Sequence, residues 1–225
     1  MQSCGSGVLY FHIMQKTIKQ KSYQSNFNIN KYFFILSLCF ILYVPIGTLS
    51  HEYGHILVAN FLGYNTILHY NSIDTIQKEE GFHSFLITLA GPLQTIITGS
   101  IGFLIIFFRR KKRTDSLNLY DWFYIFLSLF WLRQIFNLII SFLSELNSPN
   151  GSFFGGDEPW ISEYLGLGKG FFSIFLGFIG LYVLFYIYFR IIPKNNRYTF
   201  IMSGFFGGSL GYFLWMKIIG PYILP

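Results

Sequence analysis

The sequence predicts an all-α polytopic membrane protein of about five to six membrane helices, with a short β-strand or hairpin after the first. Hydrophobic residues make up 52% of the 225 residues and charged residues only 12%. Soluble domains carry about 25% charged residues. A chain this small cannot hide so much apolar surface in a core, so lipid must cover part of it. The composition therefore excludes an ordinary soluble domain.

Five apolar segments are each long enough for a spanning helix, which needs roughly 20 apolar residues. Pro45 and Gly47 in the first predict a kink, after which the second half forms a separately oriented helix. After this segment, residues 64–73 are rich in β-branched and aromatic residues and predict a short strand. The five segments cover about residues 32–62, 82–108, 120–146, 171–192 and 198–219.

Basic residues predict the orientation of the chain. Most of the 16 lysines and arginines lie in the N-terminal tail, in RRKKR and around PKNNR. Five spans place these clusters on one side, and the positive-inside rule makes that side the cytoplasm. We expect a basic mobile tail at 1–30, one membrane-embedded domain at 31–225, and outward loops at 63–81 and 147–169. The predicted location is a bacterial cytoplasmic membrane with the N-terminus in the cytoplasm.

The stretch HEYGH at 51–55 places three ionisable groups inside the first apolar segment. Residues i and i+4 share one face of a helix, so His51 and His55 can both reach one tetrahedral zinc ion. Glu52 then lies beside the metal position, where it can take a proton from an attacking water. Ionisable groups within a membrane are expensive and mark functional sites. HExxH on a helix therefore predicts a hydrolase centre with one Zn²⁺ per chain.

A catalytic zinc ion keeps three protein ligands and one open position, so a third ligand must come from elsewhere. Asp157 is the first candidate, because two glycines precede it and its loop faces the same predicted side as HEYGH. Glu158 is the alternative. Four further residues stay open as ligands: Glu145, Glu163, His69 and His83.

The third apolar segment carries two polar residues that bear on the site. Asn137 is a candidate for contacting the substrate or an oxyanion, with a polar contact between helices as the other interpretation. Arg133, on the same helix face, is expected to pair with Glu145 or with an acidic loop residue rather than to act in catalysis.

At these residues the chain resembles the site-2-type intramembrane zinc metalloproteases. The resemblance covers roughly residues 40–165 and rests on LSHEYGHILVANFLGYNT, on LAGPLQTIITG and on GGDE. It implies a divergent, minimal member without a PDZ or CBS domain, Asp157 as a zinc ligand, and hydrolysis of peptide bonds in membrane-embedded or membrane-proximal proteins. Thr95 stands where that family commonly has Asn, and glycines precede Asp157 where the family usually has Leu-Asp-Gly.

The expected partners are a membrane-protein substrate and the lipid bilayer, and no nucleic acid is expected. Three other functions stay open. One is a membrane peptidase for short or lipidated peptides, with Glu163 as the third ligand. Another is a non-catalytic zinc-binding protein that assembles a membrane partner. The third is a transporter, although the sequence shows no inverted repeat to support it.

Overall fold

The computed structural model describes residues 6–78, 80–110, 117–147 and 156–225, with side chains for all of these except 6–30, 141 and 144–147. The described residues are mainly helical. The helices are α1 (Ser6–Phe61), α2 (Gly81–Arg110), α3 (Leu119–Ser128), α4 (Leu132–Asn147), α5 (Asp157–Tyr164), α6 (Phe171–Tyr186), α7 (Lys194–Phe213) and α8 (Gly220–Ile223). A 3₁₀ turn at Leu129–Trp131 joins α3 to α4, and π-helical turns extend α6 over Ile187–Ile191 and α7 over Leu214–Ile219.

Four helical stretches are long and apolar enough to cross a membrane, namely Lys31–Phe61, Gly81–Arg110, Leu119–Ile140 and Phe171–Ile191. A helical protein suited to a membrane is thus confirmed, with four candidate spans among the described residues where five to six were predicted. The fifth predicted segment is helical as α7. Its glycines, serines and tyrosines make it less apolar than the four candidate spans.

Helix α1 is continuous from Ser6 to Phe61, so its second half is not the separate helix predicted from Pro45 and Gly47. Pro45 has no N–H and leaves the Ile41 carbonyl oxygen without its helical donor. Helix α7 packs closely at this point, because a Cβ on Gly211 would lie 2.7 Å from that oxygen. The backbone of residues 6–30 is part of this helix. The mobility of the tail and the division into a tail at 1–30 and a domain at 31–225 stay predictions.

Small residues on α7 allow its close contact with α1. Gly207 leaves no room for a side chain, since a Cβ there would meet the Ser37 carbonyl oxygen and lie 2.9 Å from the Phe40 Cβ. The Ser203 hydroxyl donates a hydrogen bond to the Phe33 carbonyl. Small residues let membrane helices approach closely, and dispersion contacts then hold the pair together.

Two glycines of α2 position the third candidate span. A Cβ on Gly102 would lie 2.6 Å from the Ser128 backbone nitrogen, and one on Gly99 would lie 2.7 Å from the Trp131 ring. The 3₁₀ turn that contains Trp131 changes the angular phase between α3 and α4. It therefore fixes the direction in which α4 presents its first polar residues, Arg133 and Gln134.

Strands β1 (Thr66–Leu68) and β2 (Ile73–Thr75) form an antiparallel hairpin that pairs Thr66 with Thr75. The predicted short strand or hairpin is thereby confirmed. The end of the chain holds this hairpin in place: the Tyr70 N–H donates to the Leu224 carbonyl, and the Trp215 indole N–H donates to the Tyr70 carbonyl.

Candidate metal centre

The two histidines of HEYGH and Asp157 lie together. His51 Nε2 is 3.1 Å from His55 Nε2. Asp157 Oδ2 is 2.8 Å from His51 Nε2 and 3.4 Å from His55 Nε2. These three ligand atoms could hold one metal ion. The structure thus joins groups that are 106 residues apart in sequence.

The donor set fits a tetrahedral cation. With metal–ligand distances of about 2.05 Å, neighbouring ligand atoms in a tetrahedral site are about 3.3 Å apart, close to the three distances found. The Ile87 carbonyl lies 2.7 Å from His55 Nδ1. That contact places the proton of a neutral His55 on Nδ1 and leaves the Nε2 lone pair for a metal. Two imidazoles and a carboxylate are ligands that zinc accepts in proteins.

Glycines on both helices make room for the histidines. A Cβ on Gly91 would touch His55 Nε2 and lie 2.7 Å from His51 Nε2. On the facing helix, a Cβ on Gly54 would lie 2.7 Å from the Ala90 carbonyl oxygen. The Gly of HEYGH and the Gly of LAGP are therefore two points of close approach between α1 and α2, and neither position has room for a side chain.

Asp157 reaches the histidines as the first residue of α5. Gly156 before it has φ +102°, a backbone conformation that favours glycine. Burial disfavours the charged carboxylate, but the neighbouring His51 and His55 outweigh burial and hold the pKa of Asp157 well below its usual value. The carboxylate is therefore anionic, as a metal ligand must be. Its role as a ligand stays a prediction.

Glu158, the alternative ligand, points elsewhere. Its two carboxylate oxygens accept hydrogen bonds from Asn137 Nδ2 at 3.1 and 3.2 Å, and its side chain is buried. Burial and the neighbouring Asp157 charge raise the pKa of Glu158 despite the opposing effects of its own backbone amide, Arg133 and Asn137. Asn137 therefore fastens the start of α5 to α4, and the structure gives it this contact between helices.

Glu52 lies beside the cluster with an unexpected neighbour. Arg133 Nη2 is 3.9 Å from Glu52 Oε1, whereas Arg133 was expected to pair with Glu145 or an acidic loop residue. The side chain of Glu145 lies outside the described part. The sequence does contain one sign that Arg133 belongs to the site. It is a basic residue within an apolar segment, and such residues usually have functional roles.

The other candidate ligands have different partners. His69 Nε2 contacts Asp74, and His83 Nδ1 contacts the Tyr64 hydroxyl. Glu163 is largely exposed and lies 3.8 Å from Lys169. The buried Thr95 hydroxyl donates to the Pro92 carbonyl within its own helix. Neither these three candidate ligands nor Thr95 joins the three-residue cluster in the described residues.

The site is closed around α1 and open toward α4 and α5. The side chains of His51, Glu52 and His55 are at most 6% exposed, whereas those of Asp157 and Arg133 are 28% and 29% exposed. Among the described residues, the exposed edge of the cluster is therefore the side of Asp157 and Arg133.

Comparison with known proteins adds no family assignment. No protein-family model matches the chain, and neither the curated proteins nor the solved structures give a match.

Proposed function

We propose that this protein is an intramembrane zinc metalloprotease that hydrolyses peptide bonds of membrane-embedded or membrane-proximal proteins. The observation that carries the proposal is the cluster of His51, His55 and Asp157, with Glu52 beside it, on a helix apolar enough to cross a membrane. The resemblance of the sequence motifs to site-2-type proteases supports the same function. The donor chemistry favours one Zn²⁺ per chain.

Each residue has a distinct task in this proposal. His51, His55 and Asp157 would hold Zn²⁺, which as a Lewis acid polarises a carbonyl and lowers the pKa of a water ligand. Glu52 takes a proton from a water molecule while the oxygen of that water bonds to the scissile carbonyl carbon. Glu52 then gives that proton to the leaving nitrogen as the C–N bond breaks. One water and one peptide bond become a carboxylic acid and an amine.

The depth of the site supports a membrane-embedded or membrane-proximal substrate. His55 lies six residues before the end of α1 at Phe61, or about 9 Å at a rise of 1.5 Å per residue. A peptide bond must therefore descend below the end of a candidate span to reach it. A substrate segment that already resides at this depth does so without crossing the interface.

We further propose five crossings with the N-terminus in the cytoplasm. If all four candidate spans cross the membrane, the chain at residue 192 returns to the side of its N-terminus, opposite the hairpin at 66–75. The hairpin nevertheless contacts Leu224. A fifth crossing by α7 and its π-helical extension satisfies both facts. The basic clusters then share one side, as the positive-inside rule requires of the cytoplasmic side.

The proposal is tested with purified protein in lipid vesicles. Metal content is measured by mass spectrometry for wild type, His51→Ala and Asp157→Ala, and cleavage is followed on a library of transmembrane peptides. We expect about one zinc per wild-type chain and strong loss in both variants. Glu52→Gln should keep its zinc and lose cleavage, because it removes the base and no ligand.

Glu163→Gln is the matched control, because it neutralises an exposed acid of α5 outside the cluster. It should retain zinc and cleavage, whereas a ligand role for Glu163 would remove both. If both proteins bind zinc and Glu52→Gln cleaves as fast as wild type, the cleavage does not depend on the proposed base, and this result would contradict the proposed protease site. Stoichiometric zinc without any cleavage would favour the non-catalytic assembly protein.

A further inference from the structure

Arg133 places unused hydrogen-bond donors beside the proposed base. Its Nη2 is 3.9 Å from Glu52 Oε1, which is too long for a hydrogen bond. Its Nε is buried and has no hydrogen-bond partner among the described residues. The guanidinium is thus close enough to feel the charge of Glu52, yet it does not form the bidentate pair typical of arginine and carboxylate.

A pairing with Glu52 alone does not account for this arrangement. A cation within a candidate span is expensive, and an arginine held only for packing would gain most by satisfying its N–H groups. The side chain instead lies at the open side of the site, where it is 29% exposed. It is therefore placed where a substrate approaches the histidines.

We propose that Arg133 is a catalytic residue that donates a hydrogen bond to the scissile carbonyl oxygen and stabilises the negative charge that develops there. The inference rests on the proposed protease function. An arginine stays protonated throughout, so its charge is constant while Glu52 gains and releases a proton. Removal of one such donor typically lowers kcat by about 10²–10³-fold.

The test compares wild type with Arg133→Gln and Arg133→Lys on a peptide that the wild type cleaves. A second readout is the affinity of the zinc-loaded proteins for a phosphonamidate peptide, whose tetrahedral anion imitates the charged oxygen. For Arg133→Gln we expect unchanged zinc, a kcat about 10²–10³-fold lower with little change in KM, and a parallel loss of phosphonamidate affinity. Arg133→Lys should have a higher kcat and a higher phosphonamidate affinity than Arg133→Gln, because it keeps the positive charge although it lacks the planar guanidinium.

Arg109→Gln is the matched control, because Arg109 pairs with Asp121 in a different ion pair. It should change neither readout.

Equal kcat and equal phosphonamidate affinity in wild type and Arg133→Gln would overturn the inference and leave the protease intact. Zinc loss in Arg133→Gln would also overturn it, because the residue would then be structural. A loss of kcat with unchanged phosphonamidate affinity would mean that Arg133 acts through Glu52, again contrary to the proposal. If the wild type cleaves nothing, the protease fails, and phosphonamidate affinity alone decides whether Arg133 binds a tetrahedral anion.

Discussion

Gly91 limits what the metal centre can tolerate, although it binds nothing itself. A Cβ at this position would meet the Nε2 atoms of both histidines, which are the candidate metal ligands. We expect Gly91→Ala to displace the imidazoles and weaken metal binding by roughly the 10–100-fold seen when outer partners of metal ligands are changed. Zinc titration against a competing chelator measures the effect.

Gly47→Ala provides the control for Gly91→Ala. It lies on α1 one turn before His51, and a Cβ there would have no neighbour within 4 Å. Zinc affinity should be that of the wild type. Wild-type affinity in Gly91→Ala as well would show that the histidines do not need this clearance.

At the scale of elements, the packing of α7 on α1 can be tested with two adjacent glycines. A Cβ on Gly207 would meet α1, whereas a Cβ on Gly208 would have nothing within 4 Å. Gly207→Leu should therefore lower the free energy of unfolding by about 1–3 kcal/mol through overpacking, and Gly208→Leu should change it little. Unfolding in mixed micelles with increasing denaturing detergent compares the two. Equal stability of both variants would refute the close contact.

The hairpin has a pH-dependent attachment to the chain end. His69 contacts the Pro225 carbonyl through Nδ1 and Asp74 through Nε2. The Pro225 carbonyl raises the pKa of His69 and Asp74 adds to the increase, whereas burial acts in the opposite direction. Protonated His69 can donate from both nitrogens. The stabilising effect of protonated His69 is therefore complete below the pKa of an unfolded histidine, about 6.5. It is lost as the pH rises through the higher pKa that His69 has in the folded protein.

Hydrogen exchange of the Tyr70 amide, which is bonded to the Leu224 carbonyl, reports on this attachment. After correction for intrinsic exchange rates, protection should be greater near pH 5.5 than near pH 8, about one unit or more on each side of the usual histidine pKa. His69→Ala should abolish the difference. Protection that is independent of pH in the wild type would contradict the role of His69.

At the scale of the whole molecule, the fifth crossing makes a clear prediction. In a background without Cys4 and Cys39, single cysteines at Ser72, Asn195 and Ile223 are exposed to an impermeant maleimide. Ser72→Cys and Ile223→Cys should react from outside intact cells, because the hairpin and the chain end lie together. Asn195→Cys should react only after permeabilisation. If Ile223→Cys behaves like Asn195→Cys, α7 does not cross.

Much of the arrangement follows from the sequence because it depends on local spacing. The i, i+4 positions of His51 and His55 predict a shared face, and the glycines before Asp157 indicate a special backbone at the start of α5. The contact of Arg133 with Glu52 was missed, because it depends on how α4 is rotated after the 3₁₀ turn. Counting apolar residues gave the segment at 198–219 the same weight as the other four, whereas α7 is less apolar because it carries the glycines that let it pack on α1.

The distance between the ligands along the chain has a consequence for assembly. His51 and Asp157 are 106 residues apart, so an ion shared between them would act as a reversible cross-link that closes a long loop. Such a link removes many conformations from the unfolded chain, and an ion that binds only the folded state stabilises that state by mass action. During synthesis the two histidines are made before α5, so the set of three candidate ligands is complete only after α5 has been made. Metal occupancy would then report that the intervening segments have docked, and a chelator would shorten the lifetime of the folded protein.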